Sequence, residues 1–351
     1  MKPIVLLFFT VLISCCKYET VDTCESKIYS EWINYYDVID YDTYFNVNSF
    51  ATINSGDIIF TAFIRRNNFT IDSTWIFIKL HDKNILPIDS SVFFSDYNSF
   101  SWENNMSEKK IFTNNELLFL FDRNENICCQ WYVSDLKNKL HSSKCQIDKN
   151  GNIWIASNAW KASNDGIQRY NGTTWTTYFE GSTFYAICFD KSGNLYASTM
   201  PDFEEPGIIM RYNYYIWDTV IICSGNAKWV PCMHFDNDNN LWFGVLSRWN
   251  VAPESGDGLY KYDGANVTNY NIYNSKLPSN SVVDIAIDGK NNKWIAMYSG
   301  GLAKFNTDGS WKVFNTDNTP LTNISVEHVL VDDNNYVWFT VYSMGMVRLK
   351  E

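Results

Sequence analysis

Five times along the chain an alternating apolar run ends in Asp, a short polar turn follows, and a second apolar run carries Trp or Tyr. One copy reads Ile147-Asp148-Lys149-Asn150-Gly151-Asn152-Ile153-Trp154-Ile155, and the next reads Phe189-Asp190-Lys191-Ser192-Gly193-Asn194-Leu195-Tyr196-Ala197. Others run from Phe235-Asp236 to Leu241-Trp242, from Ile287-Asp288 to Lys293-Trp294 and from Val331-Asp332 to Val337-Trp338. Alternation with period two predicts strands, and the Asn and Gly positions predict tight hairpins, because those residues tolerate positive φ. Two further short strands follow each hairpin. In the best-formed copy the four are residues 281–287, 293–297, 301–305 and 311–314. The successive Asp residues are 42, 46, 52 and 44 positions apart. Four short strands repeating at that period predict an all-β fold, a β-propeller.

Seven turns can be counted, near residues 54, 114, 150, 192, 238, 290 and 334, which predicts a seven-bladed ring. The two upstream copies are weaker. Ile58-Ile59-Phe60 follows the first turn, with Trp75-Ile76-Phe77-Ile78-Lys79 as its third strand, and Leu117-Leu118-Phe119 follows the second. The last repeat has only three strands, ending in Gly345-Met346-Val347-Arg348-Leu349. A missing fourth strand leaves an open edge of unpaired N–H and C=O groups. Trp32-Ile33-Asn34-Tyr35-Tyr36 matches the fourth-strand pattern of Trp175-Thr176-Thr177-Tyr178, so residues 31–36 are expected to pair with 345–350 and close the ring.

Composition narrows the class. The chain has 351 residues, of which 17% are aromatic and 19% charged, with 14 Trp. That suits packed sheets and excludes a disordered or coiled-coil chain. A net charge of −11 with no Lys/Arg block disfavours nucleic acid as a partner. Met1-Lys2 and the short apolar run 4–13 read as a secretory signal, too short to span a bilayer. Leu12-Ile13-Ser14-Cys15 resembles the lipobox of bacterial lipoproteins, which implies cleavage before Cys15 and lipidation of that residue. The domain reading is therefore a signal peptide at 1–14, a lipidated tether at 15–29 and the propeller at 30–351. It implies a chain at the outer membrane or cell surface, held by its lipid anchor alone. Cys223 and Cys232 flank a connection and could pair, but Cys145 and Cys188 lie within apolar strands and read as small buried hydrophobes.

One stretch is more specific. Leu277-Pro278-Ser279-Asn280-Ser281-Val282, Ile285-Ala286-Ile287-Asp288, Lys293-Trp294-Ile295-Ala296 and Gly300-Gly301-Leu302-Ala303-Lys304-Phe305 together resemble the two-component regulator propeller repeat. The resemblance is good over 145–349 and faint over 40–140. That repeat builds the periplasmic sensor propellers of bacterial hybrid histidine kinases. It implies the fold here; the membrane helix and kinase of those proteins have no counterpart in this sequence, so kinase-coupled sensing is not implied.

Three places could carry chemistry. Asp236-Asn237-Asp238-Asn239-Asn240 resembles a calcium loop, but Lys intrudes at the same place in sister repeats and no Glu completes the motif, so no metal and no cofactor are expected. On the first strand of each repeat, the second and fourth positions before Asp share one face. Lys144, Gln146, His234, Asp284 and His328 would then face a central channel. A His pair with an Asp suits acid–base chemistry, in the manner of streptogramin-lyase-like propellers, although their motif is not evident. The third place is the set of loops joining second to third strands, which carry Phe69, Trp160, Phe203, Trp249, Tyr298 and Tyr342. Aromatic loops on a rigid scaffold suit sugar rings or peptide side chains. The reading is a non-enzymatic lipoprotein binding a glycan, a peptide or an envelope protein through this face. The alternatives are an enzyme using the channel histidines and a structural subunit of an outer-membrane complex.

Overall fold

The computed structural model describes residues 144–350 except 158–165, 200–205, 224–227, 248–255, 333 and 343–344; upstream it describes the backbone of strands between residues 31 and 132. Strands pair in chain order into successive antiparallel sheets. Lys144–Ile147, Ile153–Ser157, Gly166–Tyr170 and Trp175–Tyr178 form one, and Phe184–Phe189, Leu195–Thr199, Ile208–Tyr212 and Trp217–Ile222 the next. In the third, Lys228–Trp229 and Met233–Phe235 both pair with Leu241–Ser247, which is followed by Gly258–Tyr262 and Val267–Tyr270. Val282–Ile287, Lys293–Met297, Gly301–Phe305 and Trp311–Phe314 make the fourth. Val326–Val331, Tyr336–Val341 and Gly345–Lys350 make the last, and its outer strand is Glu31–Asn34, with Glu31 opposite Lys350 and Asn34 opposite Val347. The expected pairing of the first strand with the last sheet is thus present, over four residues.

Upstream, Thr43–Thr52, Ile58–Arg66, Ser73–His81 and Asn84–Pro87 form a sheet whose first turn and third strand fall where the sequence pattern put them. The next sheet corrects the pattern. It runs Ser101–Glu103, Lys110–Thr113, Leu117–Phe121 and Ile127–Tyr132, so the turn near 114 joins its second and third strands. Polar turn residues mark any tight hairpin, and nothing in Thr113-Asn114-Asn115-Glu116 says which one.

The repeated Asp builds the turn after each first strand. Asp148 Oδ1 accepts the backbone N–H groups of Asn150 and Asn152, both at 2.9 Å, and Oδ2 accepts Asn152 Nδ2 at 2.7 Å and Trp154 Nε1 at 3.0 Å. Asp236 repeats the set with Asp238, Asn240 and Trp242, and Asp288 with Lys290, Asn292 and Trp294. Asp332 holds the N–H of Asn334 and Tyr336 and the indole of Trp338 at 2.8 Å. One carboxylate therefore ties a turn to the aromatic side chain of the second strand. The residue three after each Asp has positive φ: Gly151 at 79°, Gly193 at 88°, Asn239 at 63°, Asn291 at 65° and Asn335 at 61°. Only Gly and Asn occupy that position, as a left-handed turn residue requires.

Where the residue is Asn it also reaches the preceding sheet. Asn291 Oδ1 accepts the N–H of Asn237 at 2.8 Å and its Nδ2 donates to Asp238 Oδ2 at 2.8 Å, while Asn239 Oδ1 accepts the N–H of Lys191 at 2.8 Å. Apolar side chains fill the space between neighbouring sheets. Trp294, Leu302, Phe314, Val329, Phe339 and Leu349, all buried, join the last two into one core. The first strands of consecutive sheets touch one another, which places them at the centre of the array.

Candidate functional site in the central channel

Bulges decide what the first strands present to the centre. Pairing with the second strand slips between Phe184 and Ile187, between Val282 and Asp284, and between Val326 and His328. A bulge sets two residues against one and re-aims side chains. Tyr185 and Glu327 lie within two of these slips. Hydroxyls satisfy the backbone that the slips release. Ser198 Oγ accepts the N–H of Ala186 at 3.0 Å and donates to the Val230 carbonyl at 2.9 Å; Thr340 Oγ1 accepts the N–H of His328 at 3.1 Å.

The three channel candidates of the sequence do converge. His328 Nδ1 lies 3.7 Å from Asp284 Oδ2, an ion-pair distance too long for a direct hydrogen bond. Asp284 Oδ1 accepts the N–H of Ile285 and Oδ2 that of Val329 on the next sheet, both at 3.0 Å. Burial pushes the Asp284 carboxyl up, but His328, Lys144 and His234 outweigh it and hold it below the ordinary carboxylate value. Burial lowers the pKa of His234; the Asp284 charge opposes that and the Lys144 charge reinforces it. Lys144, His234, Asp284 and His328 therefore share one electrostatic environment although they come from four sheets. Cys232 lies in the same environment, and burial together with Asp284 pushes its thiol up, so it is a protonated, weakly reactive group. It forms no disulfide with Cys223; both are buried, as are Cys145 and Cys188.

Aromatic rings stand one position further along the strands. Tyr185 and Trp229 meet edge to face, with ring centroids 4.3 Å apart and planes at 73°. Trp229 and Tyr298 both pack on the buried cluster that contains Leu246 and Val283. Tyr298 donates its backbone N–H to the Ser281 carbonyl at 3.1 Å, which fixes it beside the start of a first strand. Burial, then Cys232 and Asp284, pushes the Tyr185 phenol up to about 12. Burial also raises Tyr298, with Tyr185 and Glu327 as further causes. Both phenols therefore stay neutral at ordinary pH and keep an O–H that can donate.

Of the loop aromatics named from the sequence, Tyr298 alone is shown to join this group. Tyr342 is exposed and held by its backbone N–H on the Ser325 carbonyl. Phe69, Trp160, Phe203 and Trp249 lie outside the described residues, as does Cys15. Tyr185, Trp229 and Glu327 were missed. Tyr185 and Glu327 stand five residues before the repeat Asp, one place beyond the last column of the alternation.

In the calcium-like loop the Asp236 carboxylate is engaged by protein groups. The Lys293 ammonium of the next sheet sits 3.2 Å from Asp236 Oδ2, and the same carboxylate accepts the Trp242 indole. Burial would raise the Asp236 pKa, but hydrogen bonds from Trp242, Asn240 and Lys293 hold it at about 2. No cluster of metal-ligating side chains occurs among the described residues. A separate concavity of about 500 Å³, lined by Tyr270, Tyr273, Lys276, Phe305 and Trp311, lies on the outer strands away from the channel.

No protein-family model matches the chain, and no curated protein matches it. Solved structures do. Virginiamycin B lyase from Staphylococcus aureus, a catalytically inactive histidine-to-alanine variant with quinupristin, is 12% identical, with a TM-score of 0.65 over 92% of this chain and 98% of that one. YCF48 bound to a D1 peptide is 14% identical, with a TM-score of 0.55 over 92% of this chain and 96% of that one. The extracellular domain of a one-component system protein from B. thetaiotaomicron is 13% identical, with a TM-score of 0.45 over 86% of this chain and 52% of that one. At these identities the likeness is one of fold, and the fold is a β-propeller.

Proposed function

We propose that this chain is a seven-bladed propeller closed by its first strand, lipid-anchored in the bacterial cell envelope, that binds a glycan or peptide ligand at the mouth of the central channel. The observation that carries the site is the edge-to-face contact of Tyr185 with Trp229, with Asp284 and Tyr298 within electrostatic reach of Tyr185 and His328 3.7 Å from Asp284. Apolar ring faces over a floor of charged hydrogen-bonding groups suit a ligand that is part apolar and part polar. Two propellers with TM-scores above 0.5, one solved with quinupristin and one with a D1 peptide, support a ligand-binding use of this fold. The lipid anchor rests on the lipobox-like Leu12-Ile13-Ser14-Cys15. The likeness to the two-component regulator propeller repeat rests on residues 277–305 and supports an envelope location. A glycan and peptide array tests the site: Trp229→Ala and Tyr298→Ala should each weaken capture at least tenfold. If instead Trp160→Ala or Trp249→Ala removes binding and the channel variants do not, the ligand sits on the outer loops.

A second reading is acid–base catalysis. It is favoured by the 3.7 Å approach of His328 to Asp284 beside a His234 that burial keeps neutral near pH 7. A neutral imidazole can take a proton, and a carboxylate-oriented one can return it. The lyase likeness makes quinupristin a practical first substrate. Mass spectrometry should show a product that disappears in both His234→Ala and His328→Ala. An intact substrate with the wild-type chain removes quinupristin cleavage as its activity.

A further inference from the structure

Building on the channel-mouth reading above, we propose that the group recognised there is an organic ammonium, held by Tyr185, Trp229 and Tyr298 with Glu327 as its counter-charge. Trp229 stands edge-on to Tyr185 at 4.3 Å, so their faces form a corner. Tyr298 and Trp229 pack against the same buried cluster, Trp229 opposite Leu246 in the strand pairing and Tyr298 held by its N–H on the Ser281 carbonyl. A corner of aromatic faces attracts a cation through the ring quadrupoles, most strongly when water is displaced.

The charges around the mouth make the same assignment. Lys228, next to Trp229, is already neutralised by Asp257, with Nζ 2.6 and 2.5 Å from its two carboxylate oxygens. His328 is turned to Asp284, and Lys144 acts on Asp284 as well. Glu327, at the slip between Val326 and His328 and close enough to act on the Tyr298 phenol, has no ion-pair partner among the described residues. Both phenols are held neutral by burial, so they add no competing charge of their own. The acidic balance of the whole chain, −11, favours a cationic ligand over an anionic one. A neutral sugar would use the rings but leave Glu327 unmatched.

The test uses calorimetry on the full chain at pH 7 with four probes: choline and butylamine, and their neutral counterparts 3,3-dimethyl-1-butanol and 1-butanol. At least one cation should bind, at least tenfold tighter than its neutral counterpart. Glu327→Gln keeps shape and polarity at a half-buried position and should weaken that cation about tenfold, with an unchanged melting temperature. Trp229→Ala should abolish binding, and Trp229→Phe should restore part of it. Equal binding of the neutral probes, lost in Trp229→Ala, overturns the ammonium and leaves the mouth as the site. Binding that survives both Glu327→Gln and Trp229→Ala overturns both. No binding of either cation overturns the ammonium, and the array experiment then judges the mouth alone.

Discussion

At the scale of single residues, a repeated Asp does most of the organising. A carboxylate that is 3% exposed would be costly unless its oxygens were filled, and Asp236 has the Trp242 indole, two groups of Asn240 and the Lys293 ammonium around it. Asp236→Ala leaves Lys293 buried without a counter-charge, so a loss of about 3–5 kcal/mol is expected in urea denaturation. Trp242→Phe removes one hydrogen bond to a charged acceptor and shrinks a buried ring, and should cost about 2–4 kcal/mol. The pH dependence has a definite sign. Because the folded pKa, about 2, lies below the unfolded value, this group's contribution is full above about pH 4 and is lost as pH falls through 2. That contribution amounts to about 2–3 kcal/mol. Between pH 5 and pH 2, Asp236→Asn should therefore lose less stability than the wild type. The Asp-to-Trp spacing was visible in the sequence as a pattern. Its physical cause was not, since nothing linear says that the indole of Trp154 donates to Asp148 six residues earlier.

Elements are held to one another by small polar devices that alternation alone does not reveal. The positive-φ Asn of one turn bonds the turn before it, as Asn291 does with the backbone N–H of Asn237 and the carboxylate of Asp238. Asn291→Gly keeps the backbone conformation and loses only these bonds, so its expected cost is about 0.5–1.5 kcal/mol. Asn291→Ala should cost about 1 kcal/mol more, because the left-handed conformation penalises its Cβ. The difference between the two melts separates latch from strain. Thr340→Val leaves the N–H of His328 without its acceptor and should cost about 1–3 kcal/mol while loosening the histidine beside Asp284. Strand positions were largely legible because period-two alternation survives in the first strands. Bulges were not, since an extra residue changes the register without changing the composition. Tyr185 and Glu327 therefore escaped a reading that found His234, Asp284 and His328.

For the whole molecule, the joining of Glu31–Asn34 to Gly345–Lys350 links the two ends of the chain through one sheet. Deleting residues 17–36 should expose the edge of Gly345–Lys350, lower the melting temperature by several degrees and promote self-association visible in light scattering. A truncated chain as stable and monodisperse as the full one would contradict the closed ring. First strands from four separate sheets bring Lys144, His234, Asp284 and His328, which are 44 to 184 positions apart in sequence, into one electrostatic cluster. The chain has only four His residues, which makes their titration easy to assign by NMR. His234 should titrate below the ordinary histidine value, and in Asp284→Asn it should fall further, because the carboxylate charge that partly offsets burial is gone. An ordinary His234 titration, indifferent to Asp284→Asn, would mean that the two do not share a channel.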